Sequence, residues 1–282
     1  MAILIDFSQL AVAAFVKAPV KTSEVTKDLT KHIIINSLRT YILKFKNLGY
    51  GEVIIACDAK NNWRRGVFEY YKAKRRQNRE TSFINWDVLF DTLTELKVDL
   101  KENFPYRLLD VEGAEGDDVI AIITKNTPGP HLIIGSDKDY GQLHSIPDVK
   151  QFCIKTKKFL EIKDPKAHLE ELIICGDESD GIPNIKSDDD TFINDEKRQA
   201  PIRKALLSEW VTLKPEFYCD TPKMLINYGR NQRLIDFDYI PEDVKQKILS
   251  AYDVPVVGNK LKIQNYFVQN KMRNLLSCIG DF

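Results

Sequence analysis

Between Val111 and Leu143 the sequence reads VEGAEGDDVIAIITKNTPGPHLIIGSDKDYGQL. It holds two knots of carboxylates, Glu115, Asp117 and Asp118, then Asp137 and Asp139. Each knot borders an apolar run. Ile120 to Ile123 reads as a helix opening on the first knot, and Leu132 to Ile134 as a short buried strand running into the second. Side chains alternate along an extended segment, so a strand ending Gly-Ser-Asp-Lys-Asp sets two carboxylates on one side of the chain. Crowded anions repel unless a cation neutralises them, and hard divalent cations are the natural partners of carboxylate oxygens. A single acidic knot is equally an ordinary helix cap. Metal chemistry therefore requires acids from other strand ends at the same place.

The elements around the knots supply them. Ala2 to Ile5 is predicted as a buried strand ending in Asp6. Val25 to Lys46 follows as an amphipathic helix, with Ile34, Leu38, Tyr41, Ile42 and Phe45 at helical spacing. Val53 to Cys57 is a second strand, and it ends in Asp58. Asn85 to Leu100 is another amphipathic helix, and Tyr106 to Leu109 a strand leading into Glu115. The helix from Asp117 stops before Pro128-Gly129-Pro130, and Leu132 to Gly135 is the strand that ends at Asp137 and Asp139. Val149 to Cys153 and Lys158 to Ile162 are shorter strands. Strands alternating with helices imply a mostly parallel sheet flanked by helices, with right-handed crossovers. The C-terminal edge of such a sheet would gather Asp6, Asp58, Glu115, Asp117, Asp118, Asp137 and Asp139, where α/β proteins keep their sites.

Further along, Asp164-Pro165 starts a helix that runs to Cys175 and closes at Gly176. GDESDGIP then places Asp177 and Asp180 in a turn. Thr221-Pro222 and Ile240-Pro241 repeat the proline start, and Leu261 to Ile279 reads as a last helical segment. Asp188, Asp189 and Asp190 form an acidic triplet without the glycine and glutamate of a calcium loop, hence a solvated loop. The division expected is an α/β core over 1–175 and a helical region over 176–282.

Residues 60–80 change character. Lys60, Arg64, Arg65, Lys72, Lys74, Arg75, Arg76 and Arg79 oppose only Glu69 and Glu80, with Trp63, Phe68, Tyr70 and Tyr71 interleaved. Cations neutralise phosphates and aromatic rings stack on unpaired bases, so the stretch reads as an arm for a polyanionic substrate beside the metals. The plainer alternative is a solvated basic helix with its aromatic residues packed inward.

Bulk properties restrict the classes. The chain has 282 residues, 43% hydrophobic and 29% charged, with formal net charge +0, so nucleic-acid affinity would need local segregation of charge. Five scattered cysteines without CxxC spacing point to reduced thiols rather than a disulfide framework or a zinc site. MAILIDF is too short and lacks the basic leader of a signal peptide, and no run of roughly 20 apolar residues spans a membrane. No Walker A, GxGxxG or HExxH pattern occurs, and Asp6 is not followed by a second Asp two residues on as a HAD-type phosphatase requires.

Taken in order, LIDFS, the CD ending the second strand, WRR with YYKAKRR, AEGDD, SDKDYGQL and GDESDGIP resemble the flap endonuclease and 5′→3′ exonuclease family. The likeness is greatest to its bacteriophage ribonuclease H branch of T-even type, with LIDFDYIP (Leu234 to Pro241) also in keeping. It extends over essentially the whole chain. The resemblance implies a PIN-like core with two divalent ions, Mg²⁺ or Mn²⁺. Asp6, Asp58, Glu115, Asp117 and Asp118 would surround the first, with Asp137 helping, and Asp139, Asp177 and Asp180 the second. Asp6, Asp58, Asp118, Asp137, Lys72 and Arg75 would be catalytic. Arg64, Arg65, Lys72, Arg75, Arg76, Arg79, Lys197 and Arg198 would hold nucleic acid, and Tyr71 would stack on a terminal nucleotide.

The implied activity is ribonuclease H, 5′→3′ exonuclease and flap endonuclease cleavage, removing RNA primers and adjacent DNA during lagging-strand replication of a bacteriophage. Implied substrates are RNA·DNA hybrid and 5′-flap or forked DNA. The implied setting is a cytoplasmic monomer without membrane contact, with a single-strand-binding protein and a sliding clamp as partners. Gly176 to Ile185 matches the start of a helix-turn-helix-like duplex anchor. The chain departs from the family after GIPNI, where KSDDDTF replaces a Gly-x-Gly turn. The monovalent-ion site is therefore not carried over, and Lys197, Arg198, Arg203 and Lys204 are the cations that could compensate. Two alternatives remain: a Toprim-like nuclease site, which leaves Asp6, Asp58 and the arm unexplained, and a non-catalytic fork-binding module.

Overall fold

The structure is a computed structural model in which residues 1–18, 26–75, 79 and 84–282 are described. Arg76 lies outside the described residues. Strand β1 (Ala2–Asp6), buried at every residue, forms the middle of a six-stranded sheet. It pairs in parallel with β2 (Glu52–Cys57) on one side and β4 (His131–Ile134) on the other. Strand β3 (Arg107–Asp110) continues beyond β2 and β5 (Val149–Cys153) beyond β4, both parallel. Only β6 (Lys158–Leu160) runs antiparallel, against β5. In the order β3-β2-β1-β4-β5-β6 the winding reverses between β1 and β4, the switch point at whose carboxyl ends sheets of this kind place their binding crevice.

Alternation along the strands divides the core between two faces. Ile3, Ile5, Val53, Ile55, Leu132 and Ile134 pack under α1 (Phe7–Lys17), α2 (Lys27–Lys46) and α4 (Trp86–Asn103). Leu4, Ile54, Ala56 and Ile133 pack under α5 (Gly116–Asn126). The helix starts are chemically marked: Thr26 and Asn85 accept hydrogen bonds from Leu29 N and Val88 N. Helix α1 gives no period in the sequence, because LAVAAFV is apolar nearly all round; its start is visible only as Asp6.

The one-turn helix α3 (Arg64–Val67) leads into a third apolar cluster. There Phe68 and Tyr71 meet α6 (Pro165–Cys175) and α8 (Pro222–Ile235). Short α7 (Lys204–Trp210) packs at its edge through Leu207 and Trp210. Helix α9 (Glu242–Tyr252) lies on the α5 side of the sheet through Val244 and Ile248. Helix α10 (Lys260–Gln269) lies on the opposite side through Ile263, Tyr266 and Phe267. Residues beyond 176 thus contribute to every cluster, and the apolar core does not part at residue 175.

Two expected elements differ. The segment predicted as one helix from Leu261 to Ile279 breaks after α10: Lys271 takes a left-handed φ of 56°, and Met272 N donates to Phe267 O. A separate turn, α11 (Arg273–Leu276), follows. The turn after Cys175 contains a single 3₁₀ turn, Glu178–Asp180, and among the described residues no helix follows it before Lys204. A helix-turn-helix pair in the usual sense is absent from 176–203; Asn231 and Asn227 hold that stretch instead, by side-chain hydrogen bonds to the carbonyls of Pro183, Ile185 and Ser187. The described cysteines are all free thiols, and no described helix is long and apolar enough to cross a membrane.

Candidate active site

Four strand ends bring their acids to the crevice. Asp6 closes β1 and also caps α1, accepting from Gln9 N at 2.9 Å. Asp58 follows β2 and accepts from Gly116 N at 2.8 Å, which ties it to the start of α5. Glu115 is the cap residue of α5, just after β3, with Asp117 and Asp118 in the first turn. Asp137 and Asp139 follow β4, and Asp139 N donates to Asp137 at 3.0 Å. Asp177 and Asp180 enter from the turn behind α6, and Asp177 caps it by accepting from Ser179 N at 2.7 Å.

Burial and mutual repulsion set the charge state. Burial, then Asp58, pushes the Asp6 carboxyl up to about 7. Burial, then Asp137 and Asp6, raises Asp117 well above the carboxylate range. Asp139 is raised the same way by burial and by Asp137, Asp177 and Asp180, and burial likewise raises Asp137. Asp180 goes the other way: burial opposes its charge, but Lys72 and Arg75 outweigh it and hold the carboxyl below its ordinary value.

Two cations enter from the arm and one from the β4 loop. Lys72 Nζ lies 2.5 Å from Glu115 and 3.5 Å from Asp180. Arg75 pairs with Asp180, and Lys138 Nζ lies 3.2 Å from Asp177. The arm is latched to the turn by backbone too, since Lys72 N donates to Asp180 O at 2.7 Å while Lys72 takes a left-handed φ of 58°. Gly181 makes this approach feasible; a Cβ there would sit 2.9 Å from Tyr70 O.

Arg64 has a different place from the one expected. It is 3% exposed and faces no solvent. Its Nε donates to Leu234 O at 2.8 Å, and its other nitrogens reach Glu115 at 3.1 Å and Asp118 at 2.8 Å. Asp118, fully buried, also accepts from Trp63 Nε1 at 3.1 Å and Glu115 N at 2.9 Å. Asp118 therefore faces Arg64 rather than the crevice. Tyr71 is 3% exposed, with its hydroxyl donating toward Glu115 at 2.7 Å and Asp180 at 3.0 Å, so its ring face is closed to a nucleotide. Arg79 stacks over Trp86 and Phe90. The acidic triplet lies in a solvent-accessible loop, as expected, and is also paired: Lys197 and Lys223 hold Asp188, Arg230 holds Asp189, and Lys197 holds Asp190. Lys197 is thereby engaged within the loop, while Arg65 and Arg198 are exposed.

Two crevice residues carry no charge and so gave no signal in a search for acids. Gln9 bridges the two central strands, accepting from Ser136 N at 2.6 Å and reaching Asp137 at 3.5 Å. Tyr140 sends its hydroxyl between Asp6, at 2.9 Å, and Asp117.

Among the described residues no three acids, histidines or cysteines already stand as a finished coordination shell. The donor set nonetheless suits hard cations: it is all carboxylate, and Asp139 Oδ1 is buried with no hydrogen-bond partner.

Residues 1–172 match the family described as 5′-3′ exonuclease, N-terminal resolvase-like domain, and residues 165–282 match T4 RNase H, C terminal. The chain is 34% identical to the ribonuclease H of Enterobacteria phage T4 over 294 residues, spanning 99% of this chain and 95% of that one. The chain belongs to the 5′-3′ exonuclease family. A second member, the 5′-3′ exonuclease of Buchnera aphidicola subsp. Schizaphis graminum, is 27% identical over 151 residues, 50% of each chain. Two solved structures share the fold. A bacteriophage T5 flap endonuclease in complex with DNA and metal ions superposes with a TM-score of 0.61 at 16% identity, covering 90% of this chain and 99% of that one. The T5 5′-exonuclease with zinc bound gives 0.59 at 17%, with the same coverage. As a member of this family the chain is a nuclease, a hydrolase of the 5′-3′ exonuclease type.

Proposed function

We propose that the crevice hydrolyses phosphodiesters near the 5′ ends of RNA·DNA hybrids and of 5′-flap or forked DNA with two divalent ions, Mg²⁺ or Mn²⁺. The observation that carries the reading is the convergence of acids from four parallel strand ends beside Lys72 and Arg75. Asp6, Asp58, Glu115, Asp117 and Asp137 would hold one ion, and Asp139, Asp177 and Asp180 the other. When bound, the ions would supply electrophilic stabilisation of the scissile phosphate and lower the pKa of the attacking water.

The chain's own residues do the rest. Lys72 and Arg75, now paired with Glu115 and Asp180, are the cations placed to stabilise charge on the phosphate once ions take those acids. Asp118 keeps Arg64 in place, and Arg64 in turn fixes Glu115 and, through Leu234 O, the last turn of α8. Arg65, Arg198, Arg203 and Lys204 are exposed cations available to duplex phosphates, and α6 with the turn behind it would anchor the duplex. Contacts to phosphate carry little base information, so RNA and the DNA after it are both substrates. In a replisome the proposed partners are a single-strand-binding protein and a sliding clamp, with the nuclease acting as a monomer.

The test uses a 5′-labelled RNA·DNA hybrid and a 5′-flap duplex with Mg²⁺ or EDTA, comparing the native protein with Asp139→Asn. Mg²⁺-dependent release of short 5′-phosphorylated fragments, lost in the variant, is the expected result. Tight binding of both substrates without cleavage in any divalent ion would replace this reading with a fork-binding module.

A further inference from the structure

Tyr140 sits in the 3₁₀ turn Asp139–Ser145, directly after the second acidic knot, and is fully buried. Its ring lies against the backbone at the end of β4: a Cβ on Gly135 would be 2.7 Å from Tyr140 Cε2, so the ring occupies the space that any other residue at 135 would fill. On the other side it packs into the cluster that includes Ile133 and Leu143. A wedged aromatic ring has two torsions and no slack, so its hydroxyl is fixed relative to β1 and β4. That hydroxyl lies 2.9 Å from Asp6 Oδ2 and also contacts Asp117 Oδ1. Asp6 Oδ1 is meanwhile held by Gln9 N. One uncharged group therefore touches an acid from β1 and an acid from α5, and no other described side chain hydrogen-bonds to both.

We infer that Tyr140 is a positioning residue for the divalent-ion site, its hydroxyl setting the separation and rotamers of the Asp6 and Asp117 carboxylates. The inference rests on the proposed metal reading of the same acids. Hydrogen bonds behind ligating carboxylates orient them, and losing such a partner weakens metal affinity by about 10- to 100-fold. A hydroxyl that merely satisfies itself inside the core would leave affinity untouched.

The experiment is titration of Mn²⁺ into native protein, Tyr140→Phe and Gly135→Ala by calorimetry, with no substrate, followed by cleavage rates over a range of Mn²⁺. Tyr140→Phe keeps the ring and removes only the oxygen; Gly135→Ala keeps the oxygen and displaces the ring. The expected result is Mn²⁺ binding about 10-fold weaker or worse in both variants. In the rate series the Mn²⁺ requirement should rise while kcat at saturating Mn²⁺ recovers to within about threefold of native, the split expected when ligand placement alone is disturbed. Mn²⁺ affinity within twofold of native in Tyr140→Phe would overturn the inference. If Tyr140→Phe fails to fold, Gly135→Ala decides alone by the same criterion. Absence of Mn²⁺ binding to the native protein would instead overturn the metal reading beneath it.

Discussion

Arg64→Ala separates two readings of the arm. On a surface arm this arginine would hold phosphate, and its removal would weaken nucleic-acid binding while leaving stability alone. In the structure the guanidinium is buried between Glu115 and Asp118 and donates to Leu234 O. Removing it leaves Asp118 with only Trp63 and the Glu115 N–H, and leaves the Leu234 carbonyl without its Arg64 donor. Breaking one side of a buried ion pair costs about 3–5 kcal/mol, because the remaining charge stays desolvated. At roughly 2–4 °C per kcal/mol for a chain of this size, that is a fall in Tm on the order of 6–20 °C. Urea unfolding at pH 7 gives the free energy directly, with exposed Arg65→Ala as the control, expected within about 0.5 kcal/mol of native. Pairing Arg64→Ala with Asp118→Ala in a cycle should return a coupling of at least about 1 kcal/mol. Arg64→Ala with native stability and a selective loss of duplex binding would refute the buried-clamp account and restore Arg64 to the substrate surface.

Other outcomes follow from the same geometry. Asp117→Asn removes a charge that burial, Asp137 and Asp6 disfavour, so in EDTA it should raise Tm by a few degrees, on the order of 1–2 kcal/mol, while abolishing the Mg²⁺-induced rise in Tm. Asp6 has a folded-state value of about 7 against an unfolded value near 4, so its protonated form is favoured by folding. Stability of the EDTA-treated protein should therefore fall as pH rises from about 4 through 7, by on the order of 4 kcal/mol from this group, and Mg²⁺ should restore it above pH 7; Tm measured at pH 5 and 8 with and without Mg²⁺ checks the sign. Arg75→Ala should lower single-turnover cleavage by about 100-fold, with the salt dependence of duplex binding reduced by about one phosphate contact.

What was legible in the sequence is what chain-local physics writes there. Asp6 and Asp58 stood out because each ends an apolar run, and β1 and β2 form as those runs predict. The caps at Asp164 and Thr221 fixed helix starts for the same reason. Burial of a cation is not chain-local: nothing within WRR distinguishes Arg64, buried, from Arg65, exposed, because Asp118 and Leu234 lie far along the chain. The ion pairs of the solvent-accessible triplet at 188–190 were hidden for a like reason, since its partners Lys223 and Arg230 come from α8. Gln9 and Tyr140 escaped because a residue that orients acids need not be an acid, and its role depends on two strands meeting. The break after α10 turns on one left-handed residue, Lys271, within a run whose composition reads as continuous helix.

The position of β1 has a consequence for how the protein is made. Residues 2–6 are translated well before their second parallel neighbour, residues 131–134, and helix α10, packed on the Ile3 side of the sheet, ends only at residue 269. Synthesis proceeds at about 5–20 residues per second, so β1 waits roughly 6–25 s for β4 and longer for α10. During that time Ile3, Ile5 and their neighbours on β2 are an apolar edge with one side open. The nascent chain is thus most exposed to aggregation in mid-synthesis, and a ribosome stalled between β2 and β4 would present that edge to whatever chaperone is nearest.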